Sequence, residues 1–270
     1  MFNNITIIII ILLIILILSI YYILNKNNII NDVHKLSENF KLITKPSKKI
    51  YAKKEFYNES IYPELKHINI NKIRTELSNF IKNNNKWIEW PELDLWKNKD
   101  SSSSSSWKVI PIKAFGKWHI INNQDSLKTS NVSLFPETVK EINKIPNVIT
   151  IGFSKLGPKT KLSWHQGWAK LSNNVLRCHL GLFVPKNQCK ILVSQEDIKD
   201  DEPKTYSAMI QEDNKWIIFD DSLNHSASND SDVDRIVLIL DIKRPPNVPL
   251  GYSNIEYSEE LDNFMNEFSK

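Results

Sequence analysis

Three histidines and two arginines in the second half of the chain stand where they could act on one ligand. His165 lies in Ser163-Trp164-His165-Gln166-Gly167, just after a predicted strand and before a turn. His225 follows Phe219-Asp220-Asp221-Ser222-Leu223-Asn224, where an apolar strand runs out into a loop. His179 lies in Leu176-Arg177-Cys178-His179-Leu180-Gly181-Leu182. Successive side chains of a strand alternate faces, so Arg177 and His179 share one face and Gly181 leaves space beyond them. Cys178, Leu180 and Leu182 share the other. This is the pattern of a barrel wall with a polar ligand inside, and guanidinium suits a forked grip on a carboxylate. Arg235 opens Arg235-Ile236-Val237-Leu238-Ile239-Leu240-Asp241, a run that is apolar on both faces. A charge there needs a partner. Asp232 and Asp234 are near but not obvious partners, and an anionic ligand would serve. Any one of these residues alone is more often a structural group than a ligand. The joint pattern carries the expectation.

The elements that must position them are mostly strands. Val148–Phe153, Leu176–Val184, Lys190–Val193, Tyr206–Ile210, Trp216–Phe219 and Arg235–Ile242 are short apolar or alternating runs, most of them separated by Gly, Pro, Asn or Asp. They predict a β-sandwich or barrel, not a parallel α/β sheet. Four of the six glycines fall between Gly152 and Gly181, so tight backbone geometry concentrates there. Ile73, Leu77, Phe80 and Ile81 predict an amphipathic helix over Asn71–Asn83. A second short helix is predicted over Thr138–Lys144, between Pro136 and Pro146. Ser101–Ser106 is an unbroken serine run that cannot pack a core, and it is expected to be a flexible loop between two folded parts.

Bulk properties exclude several classes. The 270 residues suffice for one sizeable core. A net charge of +4 on scattered lysines gives no basic stripe for nucleic acid. Two cysteines, Cys178 and Cys189, exclude a disulfide framework and a four-cysteine zinc site, and free buried thiols are expected. Ile5–Leu24 is an uncharged run of 20 residues, almost all Ile and Leu. That matches the ~20 residues a helix needs to cross a bilayer. With no small-x-small site at its end, it is expected to be an uncleaved single-pass membrane anchor instead of a signal peptide. The charge bias around it is about one residue and leaves the side of the membrane open. The expected organisation is an anchor over 1–25, a polar stalk over 26–60, a catalytic domain over 61–255 and a tail over 256–270.

The stretch Phe153 to Pro245 resembles the aspartyl/asparaginyl β-hydroxylase family. The residues that carry this are Phe153-Ser154, Gly157-Pro158, Trp164-His165-Gln166-Gly167, Leu176 to Leu182 with Pro185 and Cys189, Phe219 to Ser222 with His225, and Arg235 to Asp241 with Pro245. Several spaced motifs in order are more specific than one short pattern. Trp107 to Trp118 is similar to the family's lead-in.

The resemblance implies a mainly β chain with flanking helices: a double-stranded β-helix of the jelly-roll or cupin-like kind. It implies Fe(II) held by His165 and His225, with 2-oxoglutarate and O2 as cosubstrates. Related oxygenases complete the metal site with a carboxylate two positions after the first histidine. Here that position is Gly167, as in the family. The resemblance assigns Arg235 with Ser154 to the distal carboxylate of 2-oxoglutarate. It assigns Arg177 and His179 to the carboxylate nearer the metal, and Asp221 could orient a bound water or a ligand histidine. The implied reaction hydroxylates an unactivated C–H bond. The expected substrate is the β-carbon of Asp or Asn in a protein, with acyl chains of membrane lipids as the alternative. Two other classes share such residues, a non-catalytic cupin-like binding module and a zinc hydrolase. The latter usually needs three protein ligands.

Overall fold

The computed structural model describes residues 54–83, 86–97, 105–119, 131–197 and 202–268. The run Ile5–Leu24, most of the stalk and Ser101–Ser104 lie outside the described residues. Among the described residues, no helix is long and apolar enough to cross a membrane.

The chain is mainly β, built from two antiparallel sheets, with three of its helices on the outer face of the larger one. The large sheet holds β1 (Phe56–Tyr57), β2 (Ile88–Glu89), β3 (Trp107–Ala114), β4 (Lys117–Trp118), β5 (Val148–Leu156), β7 (Val175–Phe183), β10 (Trp216–Phe219) and β12 (Arg235–Lys243). Its order is β1-β10-β7-β12-β5-β3-β2, with β4 paired to β3. The small sheet holds β6 (Thr160–Lys161), β8 (Cys189–Ser194), β9 (Ser207–Ile210) and β11 (Asn224–Asn229), in the order β6-β11-β8-β9.

Alternation along the central strands makes two cores. On the outer face of the large sheet, Cys178, Leu180 and Leu182 of β7 join Leu238 and Leu240 of β12 and Phe153 of β5, all fully buried. Helix α1 (Ile70–Asn83) covers them with Ile73, Leu77 and Phe80. Burying such a side chain stabilises by about 1.5–3 kcal/mol each, which offsets the weak intrinsic stability of a short helix. The helix also sets the next ones, α2 (Asn131–Leu134) and α3 (Pro136–Ile142). The Glu76 carboxylate accepts from the backbone N–H groups of Glu137 and Thr138, both at 2.8 Å. It thus caps the positive end of α3, where Pro136 has no N–H and needs no acceptor.

The inner face of the large sheet meets the small sheet. Paired residues of an antiparallel ladder share a face. Arg177 of β7 is paired with Phe219 on one side and Asp241 on the other. His179 is paired with Ile217 and Ile239, and Ser154 with Val237. From the small sheet, Val193, Ile191 and Ala227 close the space with Leu162 and Phe219. Polar and apolar groups therefore mix between the sheets, whereas the centre of the outer face is apolar.

Three sequence expectations need correcting. His225 is on strand β11, not in a loop. Its Asn-His-Ser-Ala-Ser-Asn composition hides a buried strand whose side chains bond to backbone from distant parts of the chain, as when Ser226 Oγ donates to the Leu162 carbonyl at 2.7 Å. The segment around the serine run joins β2 to β3, which pair with each other, so it links neighbouring strands and not two folded parts. The run's end is docked: the Ser106 carbonyl accepts from Gly157 N–H at 2.8 Å. The C-terminal tail contains helix α5 (Glu259–Phe268), and within the expected stalk Phe56–Tyr57 pairs with β10. A short helix, α4 (Ala169–Ser172), follows the His165 segment.

Candidate active site

His165 and His225 are brought face to face by a two-residue bridge. Each backbone N–H bonds to the other's carbonyl, at 3.0 and 2.8 Å. The ring centroids are 4.2 Å apart. His165 Nδ1 lies 2.8 Å from the Ser163 carbonyl, and His225 Nδ1 lies 2.9 Å from that of Leu223. A carbonyl only accepts, so each ring carries its proton on Nδ1 and keeps a lone pair on Nε2. Burial pushes the His165 pKa down to about 3, and the neighbouring His225 adds to this. Burial lowers His225 to about 4. Both rings are therefore neutral at ordinary pH, the form that binds a metal.

Asp221, fully buried, lies beside them. Its Oδ1 is 3.3 Å from His225 Nε2 and 2.6 Å from Arg177 Nη1. The first contact joins two acceptors, an arrangement that calls for a proton or cation between them. Neither carboxylate oxygen has an aligned hydrogen bond, so the Arg177 contact is an ion pair by distance alone. Burial raises the Asp221 pKa against the pull of Arg177. The space Asp221 occupies is the space Gly167 leaves, since a Cβ there would lie 1.9 Å from Asp221 Oδ2. The turn that presents Asp221 is fixed by its neighbour: Asp220 is forked by Arg244 and accepts from Ser222 N–H at 3.1 Å.

Arg177 also forks onto Asp241, with Nε to Oδ1 at 2.8 Å and Nη2 to Oδ2 at 3.1 Å. These carboxylates hold its charge in place against the cost of burial.

Arg235 is different. It is 2% exposed, and its Nε and Nη1 have no hydrogen-bond partner. The nearby acids are used elsewhere, Asp234 by Lys155 at 3.3 Å and Asp232 by Lys159 at 3.1 Å. Burial pushes its pKa down to about 10. His179 shares this side of the sheet. Its Nδ1 faces the Gln211 side-chain nitrogen at 3.3 Å, which leaves Nε2 as the proton-bearing atom, buried and without a partner. The Ser154 hydroxyl accepts from the Trp107 indole at 3.0 Å.

A tryptophan stack borders the site. Trp90 packs on Trp107 at 4.6 Å and on Trp168 at 5.8 Å, both nearly parallel. On one side is a cleft reached by His165, Gln166, Arg177 and Asn224. On the other is an apolar cavity walled by Val109, Phe115, Ile151, Leu261 and Phe264. The three indoles and Arg177 line both.

The aspartyl/asparaginyl beta-hydroxylase family matches residues 67–245. The chain belongs to this family. A relative from Rhizobium tropici, the ornithine lipid ester-linked acyl 2-hydroxylase, is 30% identical over 156 residues, covering 58% of this chain and 48% of the relative. The human aspartyl/asparaginyl beta-hydroxylase is 33% identical over 119 residues, covering 42% of this chain and 14% of the relative. The chain thus spans under half the length of either. Among solved structures, a 2OG-Fe(II) oxygenase family oxidoreductase from Burkholderia pseudomallei aligns at 11% identity and a TM-score of 0.38, over 67% of this chain and 83% of that one. A Pseudomonas putida prolyl-4-hydroxylase aligns at 8% identity and a TM-score of 0.35, over 69% and 98%.

Of the six residues expected from this hydroxylase family's pattern, His165 and His225 are in contact, and Arg177 reaches them through Asp221. His179 joins the group through Phe219, whose ring is 5.2 Å from His179 and 5.3 Å from His225. Ser154 and Arg235 lie on neighbouring strands of the same inner face. Sequence reasoning missed Asp241 as the fork for Arg177, although the two strands were predicted. It also missed Trp90, Trp168 and Glu92, which sit outside any periodic run.

Proposed function

We propose that the protein is an Fe(II)- and 2-oxoglutarate-dependent hydroxylase of an unactivated C–H bond. The single observation that carries this is the buried, unpartnered Arg235 guanidinium on the same inner face as the paired imidazoles. An unpaired buried charge costs several kcal/mol, roughly, so a fold that keeps one is built for an anionic ligand. The donor set fits the metal as well. Two neutral imidazoles suit iron, and among the described residues no group of three or more His, Cys, Asp or Glu could hold a metal by itself. A metal at His165 and His225 would therefore need further ligands from a cosubstrate and water. The two sheets, read this way, form a double-stranded β-helix.

In this reading His165 and His225 hold Fe(II) through Nε2, with the Ser163 and Leu223 carbonyls fixing the ring orientation. Arg235, with the Ser154 hydroxyl, grips the distal carboxylate of 2-oxoglutarate. His179 Nε2–H donates to the nearer carboxylate. Arg177 acts mainly by holding Asp221 beside the histidines. When bound, iron and 2-oxoglutarate together supply the oxidising power that turns C–H into C–OH, with release of succinate and carbon dioxide. The tryptophan stack shields the cleft from water.

The cavity beside the cleft is bordered by Ser154, Arg177 and Asp241 at its polar part and by carbon over most of its wall, which favours an acyl chain as substrate over an Asp or Asn side chain. The run Ile5–Leu24 would anchor the enzyme beside a lipid substrate. The test is succinate formation from 2-oxoglutarate by the anaerobically purified protein with Fe(II), screened against acyl lipids and Asp- or Asn-bearing peptides. Turnover coupled to the lipids is expected. Coupling to the peptides alone would reverse the substrate assignment, and tightly held zinc without turnover would end the oxygenase assignment.

A further inference from the structure

Helix α5 lies outside the family-matched segment, and it forms one wall of the apolar cavity. Leu261 (1% exposed) and Phe264 point into that wall, and Phe264 meets Trp90 at 6.2 Å. The start of the helix is tied to a single carboxylate. Ser258 Oγ donates to Glu92 Oε1 at 2.8 Å and accepts from Leu261 N–H at 3.2 Å, capping the helix. The same carboxylate accepts from the Trp168 indole on Oε1 and from the Trp90 indole on Oε2, both at 3.2 Å. Glu92 therefore joins the start of α5 to two of the indoles that line both the cavity and the His165 cleft. Just before the helix the chain is pinned, since Ala169 N–H bonds to the Ile255 carbonyl at 2.8 Å and Tyr257 packs edge-on against Phe115 and Trp168. The chain is thus held twice in succession, by backbone and ring contacts at 255–257 and by the cap at Ser258.

We propose that α5 is a movable wall of the cavity and that Glu92 is the positioning residue that latches it shut. When the Ser258–Glu92 bond opens, the helix swings on the segment 255–257. Leu261 and Phe264 then withdraw, and the cavity opens for a straight hydrocarbon chain. When it closes, the same carboxylate restores the angles of Trp90 and Trp168, so the chain is led along the indole wall toward His165. Glu92 touches no reacting atom in this scheme. The chain-binding role deepens the hydroxylase assignment, but the latch stands on the geometry of α5 alone.

Hydrogen exchange on the full-length protein, without iron or 2-oxoglutarate, tests the latch separately from turnover. Losing a hydrogen bond to a charged group makes local opening about ten-fold more frequent or greater. Ser258→Ala and Glu92→Gln should each speed exchange of the α5 amides by about that factor, with β7 and β12 unchanged. Lauric acid, used as a straight-chain probe, should slow α5 exchange in the wild type and less so in both variants. In turnover, Glu92→Gln should raise KM for long acyl substrates while leaving KM for 2-oxoglutarate unaltered. Unchanged α5 exchange in both variants would overturn the proposal. So would exchange that rises equally in β7 and β12, which would make Glu92 a general support of the fold.

Discussion

The carboxylate of Asp221 occupies the volume that any side chain on Gly167 would need. A Cβ at 167 would stand 1.9 Å from Asp221 Oδ2 and 2.9 Å from Ser172 Cβ. The position two after His165 is thus closed to a metal-binding carboxylate by the acid four residues before His225. The two sites are alternatives in one space.

Gly167→Asp is expected to destabilise the protein by roughly 1–3 kcal/mol or more, as overpacking against buried groups does. Asp221→Gly alone should loosen Arg177, and the double variant should be more stable than the sum of the two effects. Urea denaturation of the four proteins in a double-mutant cycle measures the coupling. Additive effects would mean that the two residues do not compete for space.

His165→Ala and His225→Ala should each abolish iron retention and succinate formation. Iron per chain after anaerobic desalting checks the first, independently of turnover. Retained iron in either variant removes that histidine from the proposed metal site.

Arg235→Met should act in opposite directions on stability and on cosubstrate use. Removing a buried unpaired charge is expected to stabilise the ligand-free protein by about 1–4 kcal/mol. Losing the carboxylate grip should raise the 2-oxoglutarate requirement by about two orders of magnitude, the scale of a broken buried charge pair, with iron still bound. A variant that is less stable and needs no more 2-oxoglutarate would count against the assignment.

Cys178 and Cys189 are free and buried, as their residue type led us to expect. Burial pushes the Cys189 thiol up to about 11 and holds Cys178 well above the usual thiol range. The unfolded thiol titrates near ~8.5. The raised folded values give stability that is full below that pH and lost as pH rises toward about 11. Cys189→Ala should flatten this alkaline loss in a denaturation series. Neither thiol should react with iodoacetamide at pH 8 until the protein unfolds, and rapid labelling of the native state would contradict their burial.

The strand half of the fold was legible because its central strands are apolar and alternate. Arg177 and His179 could be placed on one face of β7 from spacing alone, and the ladder with β12 agrees. What was not legible depends on contacts distant in sequence. The strand character of β11 rests on buried serines and asparagines, several of which bond to backbone far off in the chain, so its hydropathy resembles a loop. The Arg177–Asp241 fork requires knowing that β7 pairs with β12. The apolar face of α5 is short, and only its docking beside Trp90 reveals what it covers.

The serine run also has a consequence for how this chain can vary. Residues 98–104 fall in the connection between β2 and β3, and β2 is the strand at the far edge of the large sheet, four places from β7 in the pairing order. Lengthening a connection costs little, about 0.6 kcal/mol for each doubling. Tracts of one repeated residue readily gain and lose copies, and here such slippage would fall between two strands that already pair. The start of the tract is therefore the place to carry a purification tag or a fluorescent probe, short of Ser105 and Ser106, which are held against Lys159 and Thr160.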